Sequence, residues 1–387
     1  MAPRKVPEVY ARLGIKPVIN AQSWITALGG SIMRPEVREA MSEAATCFVD
    51  MVELNHKAGE VVARACGTQA GMVTNGCSAA QTIAVAACMT GTDPAKVERL
   101  PHTEGLKNEV LMFKGERNRY DMAFEVPGAH IVEWGMLGGA QPWQLEAAIT
   151  EKTACIATTF SPGIRRGLPV SELAAIAHKR GVPVIVDAAA EVPPMANLTR
   201  FVKEGADLVM FSGGKGIGGP QGAGLLAGRK DLIEAAFENN LNLNSPRAGI
   251  GRGMKVTKEE LVGMVMALEL YLESDEQALI ASWQRKAEYL KGRLQGMTGL
   301  RVAIEPFSSR RQGPQPVMYF EKEWKGPSPA EIRQRLLEKD PPIYVGGGSA
   351  GNDVNLVMVN VQDGEEVVIA DRLVEILKGP APTKRPK

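Results

Sequence analysis

The chain has 387 residues, with 45 Lys and Arg against 44 Asp and Glu, a formal charge of +1, and 44% of it is hydrophobic. That composition describes an ordinary globular protein of two or three domains, with enough core to need no disulfide staples. A near-neutral balance without a long basic run gives no electrostatic footprint for nucleic acid or an anionic membrane.

Five cysteines, none in a C-x-x-C pair, and four scattered histidines point to a reducing compartment and to no metal site. The basic start runs into Pro7-Glu8-Val9 without an apolar stretch of the kind a secretory signal carries, so the cytoplasm is the expected location.

Taken in chain order, the first informative segment is the uncharged stretch Ala65–Thr92. Gln69, Asn75 and Gln81 would leave polar groups in lipid, and Thr74-Asn75-Gly76 breaks the run, so it reads as a buried strand, a turn and an Ala-rich helix. Short apolar runs follow at Val110–Phe113, His130–Glu133, Ala154–Phe160, Pro183–Val186, Leu208–Phe211 and Ala223–Ala227, separated by helical patterns such as Ser171–Lys179. Nearly continuous rather than alternating apolarity marks strands covered on both faces. The fold class is therefore α/β, with a mostly parallel, doubly covered sheet.

From Thr257 to Leu294 the pattern is helical throughout and predicts a bridging helix. A small α+β domain follows, with strands at Arg301–Glu305 and Val317–Phe320 and helices near Pro329–Leu337 and Glu365–Leu377. The expected organisation is an N-terminal segment 1–30, a large domain 31–256, the helix 257–294, a small domain 295–378 and a disordered tail 379–387.

The richest segment is the glycine-dense turn after Leu208–Phe211, which presents Lys215. A Walker A loop needs Ser or Thr after its lysine, where Gly216 stands. A dinucleotide fingerprint fits Gly214-x-Gly216-x-x-Gly219 only formally, because Pro220 and a β-like run replace the helix that would hold pyrophosphate. Val184-Ile185-Val186-Asp187 ends another strand in a carboxylate, and a right-handed crossover brings Asp187 and Lys215 to the same sheet edge. The strand–turn–helix at Met72–Ala80 adds a helix start suited to phosphate. A lysine for a Schiff base, a carboxylate for a pyridinium nitrogen and a phosphate-binding helix start together describe pyridoxal 5′-phosphate chemistry.

On these residues the chain resembles the fold-type I pyridoxal-phosphate enzymes near bacterial selenocysteine synthase, in the D-glucosaminate-6-phosphate ammonia-lyase-like branch. The matching segments are Val18-Ile19-Asn20-Ala21, Leu28-Gly29-Gly30-Ser31, Lys107-Asn108-Glu109-Val110, Val186-Asp187-Ala188-Ala189-Ala190-Glu191 and Phe211-Ser212-Gly213-Gly214-Lys215 with Gly219-Pro220-Gln221. The resemblance implies that Lys215 carries the cofactor, that Asp187 pairs with its ring nitrogen, and that Gly76, Cys77, Ser78 and Ser212 hold its phosphate. It further implies that the segment containing Gly251 and Arg252 approaches the cofactor of a partner subunit, making a homo-oligomer with a shared active site.

The chain departs from its relatives at Gln22-Ser23-Trp24 and at Glu116, so Trp24 and Glu116 become candidate substrate contacts. Arg165-Arg166 and Arg310-Arg311 could each clamp a carboxylate or phosphate. The implied activity is that of a lyase. It removes the Cα proton of an amino acid, often D-configured in the resembling branch, and eliminates a β-group such as hydroxyl, giving a 2-oxo acid and ammonia. Lys215 and Asp187 would equally serve a racemase, an epimerase or an aldolase, and a non-catalytic cofactor-binding or RNA-associated homologue is the alternative of another class.

Overall fold

A computed structural model of the chain describes residues 6–160, 167–241, 247–306, 313–347 and 352–379. The apolar runs of the middle of the chain pair into one seven-stranded sheet: β1 (Ala70–Thr74), β2 (Glu109–Phe113), β3 (His130–Trp134), β4 (Thr153–Thr159), β5 (Val184–Asp187), β6 (Leu208–Ser212) and β7 (Gly224–Gly228). They stand in the order β1-β7-β6-β5-β4-β2-β3. Strands β6, β5, β4, β2 and β3 pair in parallel, while β7 runs antiparallel to both β1 and β6.

The helices that matter for the sheet are α1 (Met51–Cys66), α2 (Gly76–Thr90), α3 (Met122–Glu125), α4 (Val170–His178), α5 (Lys230–Asn240) and α6 (Lys258–Leu272). One face of the sheet packs Met112, Ile185, Met210 and Leu226 against residues of α2 and α5. The other packs Leu111, Val186, Val209 and Leu225 against α1, α4 and α6. Burial on both faces is why these strands read as unbroken apolar runs.

The chain divides into two compact units, Ser31–Ser274 and a second formed by the described residues up to Gly30 together with those from Asp275 onward. In the second unit Leu300–Glu305, Gln315–Phe320 and Asp353–Asn355 form a three-stranded antiparallel sheet. Ile19–Ala21 pairs in parallel with Ile343–Val345, so the start of the chain is built into this unit. Its core includes Trp283, Leu290, Met318 and Leu373.

The helical pattern from Thr257 to Leu294 is two helices, α6 and Glu276–Leu294, rather than one. Ser274 bonds back to the carbonyl of Tyr271 at 2.6 Å, and Asp275 accepts the N–H of Ala278 at 2.9 Å as an N-cap. Short polar side chains compete there for the backbone and end one helix while starting the next. The boundary between the units falls at this break. Among the described residues, no helix is long and apolar enough to cross a membrane, and no cluster of His, Cys, Asp or Glu is suited to a metal ion.

Candidate active site

Asp187 is the last residue of β5 and is 5% exposed. Its Oδ1 accepts the N–H of Ala189 at 3.0 Å, and its Oδ2 accepts Nε2 of Gln81 at 2.6 Å. Burial pushes the Asp187 carboxyl up. The Ala189 N–H, the charge of Lys215 and the Gln81 amide pull it down, while the charge of Asp121 adds to the upward push. Asp187 pairs in register with Met210, two residues before β6 ends at Ser212, so Asp187 and the turn that holds Lys215 lie at the same carboxyl edge of the sheet.

Lys215 is half-buried in the connection from β6 to β7. That turn is tied internally: Gly213 N–H donates to Ala223 at 2.9 Å, Gly219 N–H to Gly213 at 2.8 Å, and Gly218 N–H to the carbonyl of Lys215 at 3.0 Å. Ser31 Oγ donates to the carbonyl of Gly214 at 3.1 Å. The glycine beside the lysine is required by close approach, since a Cβ on Gly216 would stand 2.2 Å from the carbonyl oxygen of Val192.

Helix α2 begins at Gly76, whose φ of +72° is left-handed, and its N-cap residue Asn75 makes no side-chain capping bond. Asn75 Nδ2 instead reaches the carbonyl of Lys255 at 3.4 Å. The first-turn N–H groups of this 15-residue helix are therefore left for an anion. Cys77 is half-buried and Ser78 exposed at that start. Burial pushes the Cys77 thiol well up and the negative charge of Asp187 pushes it further, against the pull of Lys215, so it stays a neutral packing group. Ser212 and Thr74 both pair with Gly224, one on each side of β7, which places Ser212 one strand away from the helix start.

These residues fit pyridoxal 5′-phosphate. A protonated ring nitrogen calls for a buried anion, which Asp187 supplies; the aldehyde calls for an amine, which Lys215 supplies; and the phosphate calls for N–H donors, which the uncapped start of α2 supplies.

Glu116 is 1% exposed, with Oε1 accepting the N–H of Gly167 at 3.0 Å and Oε2 that of Thr159 at 3.2 Å. Both of its carboxylate oxygens thus hold backbone. Trp24 lies in the smaller unit, 8% exposed, with its ring edge-on to Trp283 at 6.4 Å, and is a core residue there. Gly251 is packed against the carbonyl of Asn239 and the side chain of Ile83 on α2, while Arg252 is exposed. Arg165, Arg166, Arg310 and Arg311 lie outside the described residues.

Two polar groups near Asp187 escaped sequence reasoning. Gln81 stands one turn after Cys77 on α2, between Ala80 and Thr82, and the one amide in that alanine-rich helix was the available signal. Asp121, in the loop before α3, is 4% exposed. It accepts Arg117 Nε at 2.5 Å and the N–H of Asn118 at 2.9 Å through Oδ2. No periodic pattern marks a loop carboxylate of that kind.

A model of the L-seryl-tRNA selenium transferase family matches residues 18–305. The chain is 38% identical, over 77% of its own length and 78% of the relative's, to the D-glucosaminate-6-phosphate ammonia lyase of Salmonella typhimurium. It is 34% identical, over 97% of its length and 94% of the relative's, to a 5′-C-glycyluridine monooxygenase-decarboxylase of a Streptomyces species. A solved structure of a D-glucosaminate-6-phosphate ammonia-lyase superposes with a TM-score of 0.83 at 33% identity, covering 97% of this chain and 99% of that one. By this match and these likenesses, the chain belongs to the L-seryl-tRNA selenium transferase family of pyridoxal 5′-phosphate enzymes.

Proposed function

We propose that the protein is a pyridoxal-phosphate-dependent ammonia lyase acting on a small amino acid, D-configured and hydroxylated at the β-carbon. The juxtaposition of Asp187 and Lys215 carries the reading, and the ammonia-lyase relative, similar in both sequence and structure, supports it.

Asp187, held by Ala189 and Gln81, keeps a negative charge where the ring nitrogen binds. The start of α2 at Gly76, Cys77 and Ser78, with Ser212 across β7, holds the phosphate. The bound cofactor supplies an electron sink for negative charge at the substrate's α-carbon. With the cofactor bound, Lys215 Nζ would take the Cα proton and deliver a proton to the departing β-hydroxyl. Water then hydrolyses the released enamine to the 2-oxo acid and ammonia. The small amino acid is bound by an oligomer in which Gly251 and Arg252 of one subunit face the cofactor phosphate of the next.

A second reading is favoured by the monooxygenase-decarboxylase relative, which matches 97% of the chain. The same lysine and aspartate would serve removal of a carboxylate with consumption of oxygen. The deciding experiment follows ammonia, 2-oxo acid, CO2 and dissolved oxygen together while the purified holoenzyme is offered D- and L-hydroxyamino acids and their phosphorylated sugar-acid counterparts. Ammonia and 2-oxo acid in equal amounts without oxygen uptake support the lyase, and oxygen uptake with CO2 moves the assignment to the second reading. A shift of the visible spectrum with none of these products would identify a racemase or aldolase.

A further inference from the structure

Gln81 is 2% exposed, and its neighbours on α2 are the buried Ala79, Ala80, Ile83, Ala84 and Val85 and the buried Thr82, whose hydroxyl is spent on the carbonyl of Ala123. An apolar side chain of the same length would fill that space without burying an amide. The ionised Asp187 carboxylate can only accept, so the 2.6 Å contact points Nε2 at Asp187 and turns Oε1 away, where it has no protein partner. The fold thus tolerates one undonated buried oxygen at a place where the gain is a side-chain donor to Asp187.

The same helix offers its first-turn N–H groups at Gly76–Ser78, and Gln81 stands one turn beyond Cys77 on the same side. One rigid element therefore sets the spacing between the phosphate end and the carboxylate. We infer that Gln81 is a positioning residue for the cofactor's ring nitrogen, fixing the orientation and ionisation of Asp187 from α2. This deepens the function proposed above and rests on its assignment of Asp187.

The groups facing Asp187 are Lys215 from the turn after β6, Asp121 from the loop before α3, and the Cys77 thiol from α2. Without the Gln81 donor, only the Ala189 N–H and the Lys215 charge oppose burial and Asp121. Asp187 then keeps its proton to higher pH, and the acid limb of cofactor binding moves upward.

The test is direct titration of pyridoxal 5′-phosphate into cofactor-free protein, read by fluorescence and visible absorption from acid to alkaline pH, with circular dichroism to check the fold. Gln81→Met should bind about tenfold more weakly at neutral pH and show the raised acid limb. Gln81→Glu can share one proton with Asp187 and so keeps a donor, and at mildly acid pH it should bind nearly as the original chain does. Unchanged affinity and pH profile in Gln81→Met would overturn the inference. So would a loss in Gln81→Glu as large as that in Gln81→Met, which assigns the defect to packing. If Gln81→Met does not fold, Gln81→Glu decides alone, and weak binding there overturns the inference. Absence of cofactor binding by the unaltered chain is a different result, and it would remove the Asp187 assignment itself.

Discussion

Glu116 accepts the backbone N–H of Thr159 at 3.2 Å, and Thr159 is the residue paired in register with Asp187 across β4 and β5. A buried carboxylate thereby pins the strand end beside the one that carries Asp187. Glu116→Ala leaves the N–H groups of Thr159 and Gly167 without this acceptor, and the expected loss is about 2–4 kcal/mol of stability. Glu116→Gln keeps one acceptor oxygen and should lose less. Urea denaturation of the three proteins measures both differences, and equal midpoints would refute the structural role.

Asp187→Asn should separate stability from function. Burial is the main cause that lifts the Asp187 carboxyl above its ordinary value in the folded chain. A carboxyl raised in this way destabilises the fold above its folded pKa and leaves it unaffected below its unfolded one. The cofactor-free Asn variant should therefore melt at a higher temperature than its parent at neutral pH, with the difference vanishing in acid. Its turnover should fall on the order of 100- to 1000-fold, as when a preorganised charge is removed from a reacting centre. Thermal melts at several pH values and initial rates report the two effects, and a lower melting temperature at neutral pH would contradict the first.

Lys215→Ala should remain folded, because the side chain is only half-buried at the sheet edge. It should lose the visible absorption of a lysine-linked cofactor and, after borohydride reduction, show no cofactor-sized mass addition on the peptide spanning Gly213–Gly219. A labelled peptide in that variant would place the linkage on another amine.

Gly216→Ala tests the rigidity of the lysine turn. The added methyl would need space 2.2 Å from the Val192 carbonyl oxygen, backbone that cannot swing aside. A destabilisation of roughly 1–3 kcal/mol is expected from overpacking, with cofactor affinity reduced as Lys215 is displaced. Full affinity would show that the turn has slack.

The strands were readable because each is covered on both faces and so is apolar without interruption, as in Leu208–Phe211 within β6. The reversed direction of β7 left no such mark, since direction is set by pairing and not by composition. Asp187 stood out because a charged residue ends the apolar run of β5, and Lys215 because a single lysine interrupts a glycine-dense turn. The backbone N–H groups that Glu116 accepts were not legible, because a carboxylate with such partners looks in sequence like any polar residue in a loop. The helix break at Ser274 and Asp275 was hidden by helical periodicity on both sides of it.

Strand β7 is the only member of the sheet that runs against both neighbours, and the connection holding Lys215 leads into it from β6. The lysine therefore rides on a closed handle fastened to two adjoining strands, so a shift of either strand is felt at its amine.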